Sequence, residues 1–138
     1  MSFPVCTSIS SYAFGECSSL TSVSFPACTT IGNYAFLHCS SLTTANFPAC
    51  TAIDHNAFLY CSRLISLYLI ASSVCTLANS NVFTSTPIGG YSAIAGTYGT
   101  IYVPTSLLTA YQTATNWTYF SSRFSAIETD EINPPEPT

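Results

Sequence analysis

"SSLTSVSFPACTTIGNYAFLHC" occupies residues 18–39, and "SSLTTANFPACTAIDHNAFLYC" follows directly at residues 40–61. The 22-residue step continues beyond this pair. Phe3-Pro4, Phe25-Pro26 and Phe47-Pro48 keep it, as do Ile9, Ile31 and Ile53. Ala13-Phe14, Ala35-Phe36 and Ala57-Phe58 keep it too. Two cysteine series, Cys6–Cys28–Cys50 and Cys17–Cys39–Cys61, and the series Leu20–Leu42–Leu64 complete the register. So many positions in one step mark a stacked repeat, in which no single unit buries its own apolar face.

The pattern inside one unit says how the chain turns. Leu20, Val23, Phe25 and Cys28 read as L-x-x-L-x-L-x-x-C, and Leu42, Ala45, Phe47 and Cys50 read the same way. That is the signature of leucine-rich repeats, whose period of about 20–29 residues includes this one. Val23-Ser24-Phe25 alternates apolar and polar, the mark of a strand with one buried side. Pro26 ends it, because proline cannot donate to a ladder. The remainder of the turn buries Ile31, Ala35 and Phe36 and brings the chain back. The expected fold is an α/β-type solenoid with parallel strands stacked ~4.8 Å apart. It comprises about four turns of 22 residues and a helical C-terminal cap.

The fourth turn departs from the step. Leu64, Leu67 and Leu69 start it in register, but Leu69 to Phe83 spans 14 residues where Phe3 to Phe14 spans 11. Phe83 to Ile101 then spans 18 where Phe14 to Val23 spans 9, so this turn is 12 residues longer. Most of the excess is "PIGGYSAIAGTYG", whose glycines mark a loop. "TIYVP" copies "SVSFP" and is expected to be the last strand. "TSLLTAYQTAT" has helix character, with Thr105 or Ser106 as its N-cap. A solenoid end exposes core, so Tyr111, Trp117, Phe120 and Phe124 are assigned to a cap. The expected organisation is a solenoid over 1–104 with an insertion at about 86–99, a cap over 105–127, and a disordered, acidic, Pro-rich tail over 128–138.

The string I-x-x-Y-A-F-x-x-C-S-S-L-T-x-x-x-F-P resembles the BspA-like leucine-rich repeats of bacterial surface proteins, over roughly residues 3–70. The chain differs from the usual pattern in carrying Cys28 and Cys50 where valine is common. "IYVP…Y…NW" resembles the C-terminal end of the same family. The resemblance implies a secreted or wall-attached adhesin or other surface protein, outside the cell or on its surface. The opening "MSFPVC" starts in mid-repeat and lacks the basic-then-apolar pattern of a signal peptide, as expected of a segment of a longer chain.

Composition narrows the function classes. Two basic and six acidic residues give a net charge of −4, so the surface is built from hydroxyls and amides. Nucleic acid is disfavoured, because its binding needs Lys and Arg to displace counterions. An electrostatically held membrane protein is disfavoured likewise, and no apolar run reaches the ~18–20 residues of a spanning helix.

The seven cysteines fall mostly at fixed repeat positions, which favours buried thiols acting as small hydrophobes. One or two disulfides are the alternative reading. No C-x-x-C is present, so the zinc signal is weak and no cofactor is expected. His38-Cys39 suggests a base and nucleophile, but neighbours in extended chain face opposite ways. No set of catalytic residues survives alignment of the repeats, and the chain is not expected to be an enzyme. "NWT" at 116–118 matches a glycosylation sequon, yet Trp117 is expected inside the cap.

The outward strand positions remain: Ser22 and Ser24, Thr44 and Asn46, Ser66 and Tyr68, Thr100 and Tyr102. The early turns present small polar residues. The late ones place Tyr68 beside Tyr102, and the insertion adds Tyr91 and Tyr98. Tyrosines among hydroxyl residues suit a sugar ring or a protein partner. The candidate ligand-binding set is Tyr68, Tyr102, Tyr91, Tyr98, Asn46 and Thr100, with a host or matrix protein or a glycan as partner. The competing readings are that these tyrosines pack against the insertion and cap, and that the repeats are a spacer presenting another domain.

Overall fold

The computed structural model describes residues 1–128. The acidic, Pro-rich tail assigned to 128–138 therefore lies outside the described residues, apart from Glu128. The strands are β1 (Ser8–Ile9), β2 (Ser22–Ser24), β3 (Thr30–Ile31), β4 (Thr44–Asn46), β5 (Ala52–Ile53), β6 (Ser66–Tyr68), β7 (Thr76–Leu77), β8 (Thr100–Pro104) and β9 (Phe124–Ile127). One short helix, α1 (Leu108–Thr113), and three 3₁₀ segments, Ser80–Phe83, Thr105–Leu107 and Trp117–Arg123, complete the set. The chain winds as a leucine-rich-repeat solenoid with two parallel sheets. The front sheet runs β2-β4-β6-β8-β9 and the side sheet β1-β3-β5-β7. Front-sheet pairing follows the repeat: Val23 opposes Ala45, Ala45 opposes Leu67, and Leu67 opposes Ile101.

Like stacks on like through the core. Phe25 lies parallel to Phe3 at 4.6 Å and to Phe47 at 5.3 Å between ring centres. A second column joins Phe14 to Phe36 at 5.2 Å, Phe36 to Phe58 at 5.1 Å, and Phe58 to Phe83 at 5.9 Å. The two columns meet edge to face, as Phe36 and Phe47 do at 72°. Offset stacking within a column and edge contact between columns are the two arrangements that the ring quadrupole favours.

Small donors tie successive turns. The Thr29 hydroxyl donates to the Thr7 carbonyl at 3.2 Å, Thr51 to Thr29 at 3.0 Å, and Thr43 to Thr21 at 3.0 Å. The cysteines do similar work. The Cys39 thiol donates to the Phe14 carbonyl at 3.1 Å, and Cys61 to Phe36 at 3.0 Å, one turn back in each case. Cys28 instead donates to Thr30 two residues ahead, at 3.2 Å. Burial, reinforced by Cys50, pushes the Cys28 thiol up to about 11. A core valine would supply the volume of these cysteines but no donor. All seven are free, five of them buried. Titration with a thiol reagent in denaturant is expected to find seven reactive groups. A count of three or fewer would mean disulfides in the native protein.

Two expectations are corrected by the fold. "TIYVP" is not the last strand, because β9 pairs in parallel with β8, Ile101 opposite Phe124. Neither Thr105 nor Ser106 caps a helix through its side chain. Thr105–Leu107 is a 3₁₀ turn that leads into α1, and Leu107 is the α1 N-cap position. The insertion carries turns and a single isolated bridge, Ser92 to Thr97, and within it Thr86, Pro87 and Ile88 are buried. Each turn moreover contains a second short strand, in the side sheet, that the repeat pattern does not reveal.

The last turn is closed in two ways. On the front sheet β9 adds a strand. On the side sheet, β7 is the final strand, and side chains satisfy the backbone beside it. The Cys75 N–H donates to the Tyr111 hydroxyl at 2.8 Å, and Trp117 Nε1 donates to the Cys75 carbonyl at 2.6 Å. Asn116 Nδ2 donates to the Leu77 carbonyl at 2.7 Å. The amide of the NWT sequon is thus engaged in the fold. Unpaired strand groups are a template for aggregation, and these side chains occupy the Cys75 and Leu77 groups at the end of the side sheet.

Candidate functional site

Strand alternation puts Ser24, Asn46, Tyr68, Tyr102 and Ser125 in one outward row of the front sheet. The Tyr68 and Tyr102 rings stack at 4.6 Å and 13°, close to one strand spacing. Both are half-buried. Burial first, and the neighbouring Tyr102 second, raise the Tyr68 hydroxyl above its ordinary range, so it stays a neutral donor. The outer faces of the pair look along the row towards Asn46 on one side and the small Ser125 on the other. Asn46 Nδ2 donates to Ser24 Oγ at 3.4 Å, while its shielded Oδ1 has no partner among the described residues. Thr100 lies in the other outward row, opposite Ser66.

The two loop tyrosines sit apart from that row. Tyr91 and Tyr98 pack edge to face with each other at 5.5 Å. Arg123 covers the Tyr98 ring at 3.8 Å. Among the described residues no ring contact joins this pair to Tyr68 or Tyr102. The six candidate residues thus divide into a stacked row (Asn46, Tyr68, Tyr102), a neighbouring row (Thr100) and a loop pair.

Two aromatic arrangements escape sequence reading. Tyr12 and Tyr34 stack at 4.9 Å, and His38 meets Tyr60 at 4.9 Å and 54°. All four are left-handed, with φ of 55–62°. The signal is present, since each pair shares a repeat slot one step apart: Tyr12 and Tyr34 occupy the Y of the repeat string, and His38 and Tyr60 a slot that is Glu16 in the first turn. Beside His38 and Tyr60 lies a groove of about 540 Å³, walled on its other side by Tyr91 and Ile94 of the insertion. Cys39 is buried and bonded to Phe14, away from His38 in the groove, so the two do not meet as base and nucleophile.

Two stacked parallel sheets, a 22-residue period and an outward row of polar and aromatic side chains define a leucine-rich-repeat interaction module. The BspA type leucine rich repeat region matches residues 2–98 in six copies, and the chain belongs to that family. Among solved structures, the leucine rich repeat protein of T. pallidum is similar at 18% identity with a TM-score of 0.45. The alignment covers 72% of this chain and 53% of that one, so this chain spans about half its length. No curated protein matches the chain.

Proposed function

We propose that this chain is a non-catalytic binding module of a bacterial surface protein, and that its ligand is a host or matrix protein or a glycan. Family membership supports the surface setting. The observation that carries the reading is the Tyr68–Tyr102 stack, half-exposed at the C-terminal half of the front sheet. Stacked rings beside amide and hydroxyl groups present rigid area with few bonds to immobilise, which favours binding at low entropic cost.

A second reading, a spacer that presents another domain, draws on the first two turns. There the front row shows only Ser22, Ser24, Thr44 and Asn46. A glycan and matrix-protein array separates the two. The parent chain is expected to bind at least one array member. The Tyr68→Ala, Tyr102→Ala double variant should bind it at least about fivefold more weakly, since each ring contributes ~0.5–1.5 kcal/mol beyond its buried area. Equal binding by the variant would put the site elsewhere, and no binding by the parent would favour the spacer.

A further inference from the structure

We propose that the groove under the insertion is a second binding site, and that it takes a neutral pyranose ring of a glycan. The site is independent of the Tyr68–Tyr102 row.

The groove exists because an aromatic column stops. Glu16, His38 and Tyr60 repeat at the 22-residue step, and all three are left-handed. The longer fourth turn puts Ser85 next in this column. The Tyr60 N–H bonds the Thr84 carbonyl as the His38 N–H bonds the Leu59 carbonyl, and Ser85 repeats the left-handed φ at 58°. A serine in place of a ring leaves the outer face of Tyr60 uncovered, and the groove opens there.

The opposite wall is held in place. Ser92 Oγ donates to the Ser62 carbonyl at 3.0 Å and accepts from the Ala95 N–H at 3.0 Å. Ser92 and Thr97 form an antiparallel bridge across the loop tip. Arg63 reaches the Ile94 carbonyl at 3.5 Å. Beneath, the Gly89 N–H donates to the Thr86 hydroxyl at 3.1 Å, and a Cβ on Gly89 would collide with the Phe83 carbonyl. This wall nevertheless leaves Tyr91 62% and Ile94 59% exposed. Large apolar side chains fixed in the open beside an uncovered ring mark an interaction site.

The lining selects the occupant. Among the described residues it holds His38 but no Asp, Glu, Lys or Arg, so no permanently charged side chain there offsets a ligand's charge. It does hold hydroxyls: Ser40, Ser62 and Ser85 line it, and none of the three donates to another described residue. An aliphatic or aromatic side chain of a protein partner would leave those hydroxyls without a use. A pyranose suits both features, with its C–H face on Tyr60 and its hydroxyls towards the serines. The volume of about 540 Å³ lies within the roughly 300–1,000 Å³ of small-molecule sites.

The test is amide NMR on isotope-labelled protein. The probes are the methyl glycosides of glucose, galactose, mannose and N-acetylglucosamine, with N-acetylphenylalanine amide standing for a protein side chain. At least one glycoside is expected to shift the amides of Ser62, Gly89, Gly90 and Ser92. Tyr60→Ala and Tyr91→Ala should each weaken that binding at least about twofold, as loss of one stacked ring implies. The Tyr68→Ala, Tyr102→Ala variant should titrate like the parent, so failure of the front-row site leaves this one standing. Tyr91 is exposed, so its variant remains informative should Tyr60→Ala misfold. The proposal is overturned if no glycoside shifts those amides, if only the phenylalanine amide does, or if folded Tyr91→Ala binds as tightly as the parent.

Discussion

Trp117→Ala is expected to lower stability by about 3–5 kcal/mol, as removal of a buried aromatic does, and so to lower Tm by roughly 10–20 °C. Trp117 is 1% exposed and packs against Tyr111 at 5.5 Å, Phe124 at 5.8 Å and Phe83 at 6.0 Å. It therefore joins the cap to the last ring of the Phe14 column. Its Nε1–H is also the donor to the Cys75 carbonyl. Trp117→Phe keeps much of the packing but leaves that carbonyl without its partner, which costs about 1–3 kcal/mol in a buried site. Thermal melts of the two variants separate packing from hydrogen bonding. An unchanged Tm in Trp117→Ala would show that residues 105–127 ride on the solenoid without closing it.

Phe36→Ala is expected to be equally damaging, at about 3–5 kcal/mol. Phe36 lies between Phe14 and Phe58, with Phe25 and Phe47 edge-on, so four rings lose contact at once. Phe3 makes a useful contrast. Among the described residues its ring partners are Phe25 and Phe14, and it is half-buried. Phe3→Ala should cost less than half as much, because large-to-small losses scale with the cavity left behind. Urea titrations give both values. A loss in Phe36→Ala no larger than in Phe3→Ala would contradict an aromatic core shared between neighbouring turns.

Those aromatic columns are legible in the amino-acid sequence. Phe25 and Phe47, or Leu42 and Leu64, announce their own register because a repeat repeats its buried residues. The Tyr68–Tyr102 stack follows from that register and strand alternation. The elements that escape sequence reading are those without a second copy. "FSAI" has no counterpart upstream, so nothing marks Phe124–Ile127 as a strand. The side-sheet strands are two residues long, too short for alternation to be seen. The groove is hidden for a different reason. Tyr60 to Ser85 is a step of 25, not 22, so aligning the chain by its period never sets that serine in the aromatic column. The loop tyrosines group with the front row because sequence separation reveals that Tyr91 and Tyr98 belong to an insertion, but not which flank it leans on.

The stacking of like on like has a bearing on how such a gene can change. From Phe3 to Phe58 every phenylalanine has a counterpart 22 residues away, stacked parallel to it. An unequal crossover that removes or duplicates one such unit in the coding DNA therefore rejoins the protein without a mismatched seam. That freedom ends where Phe58 meets Phe83, because the step there is 25 and the turn above is built to receive Tyr111 and Trp117. The array is thus free to lengthen or shorten by recombination on one side of a terminus that must be inherited whole.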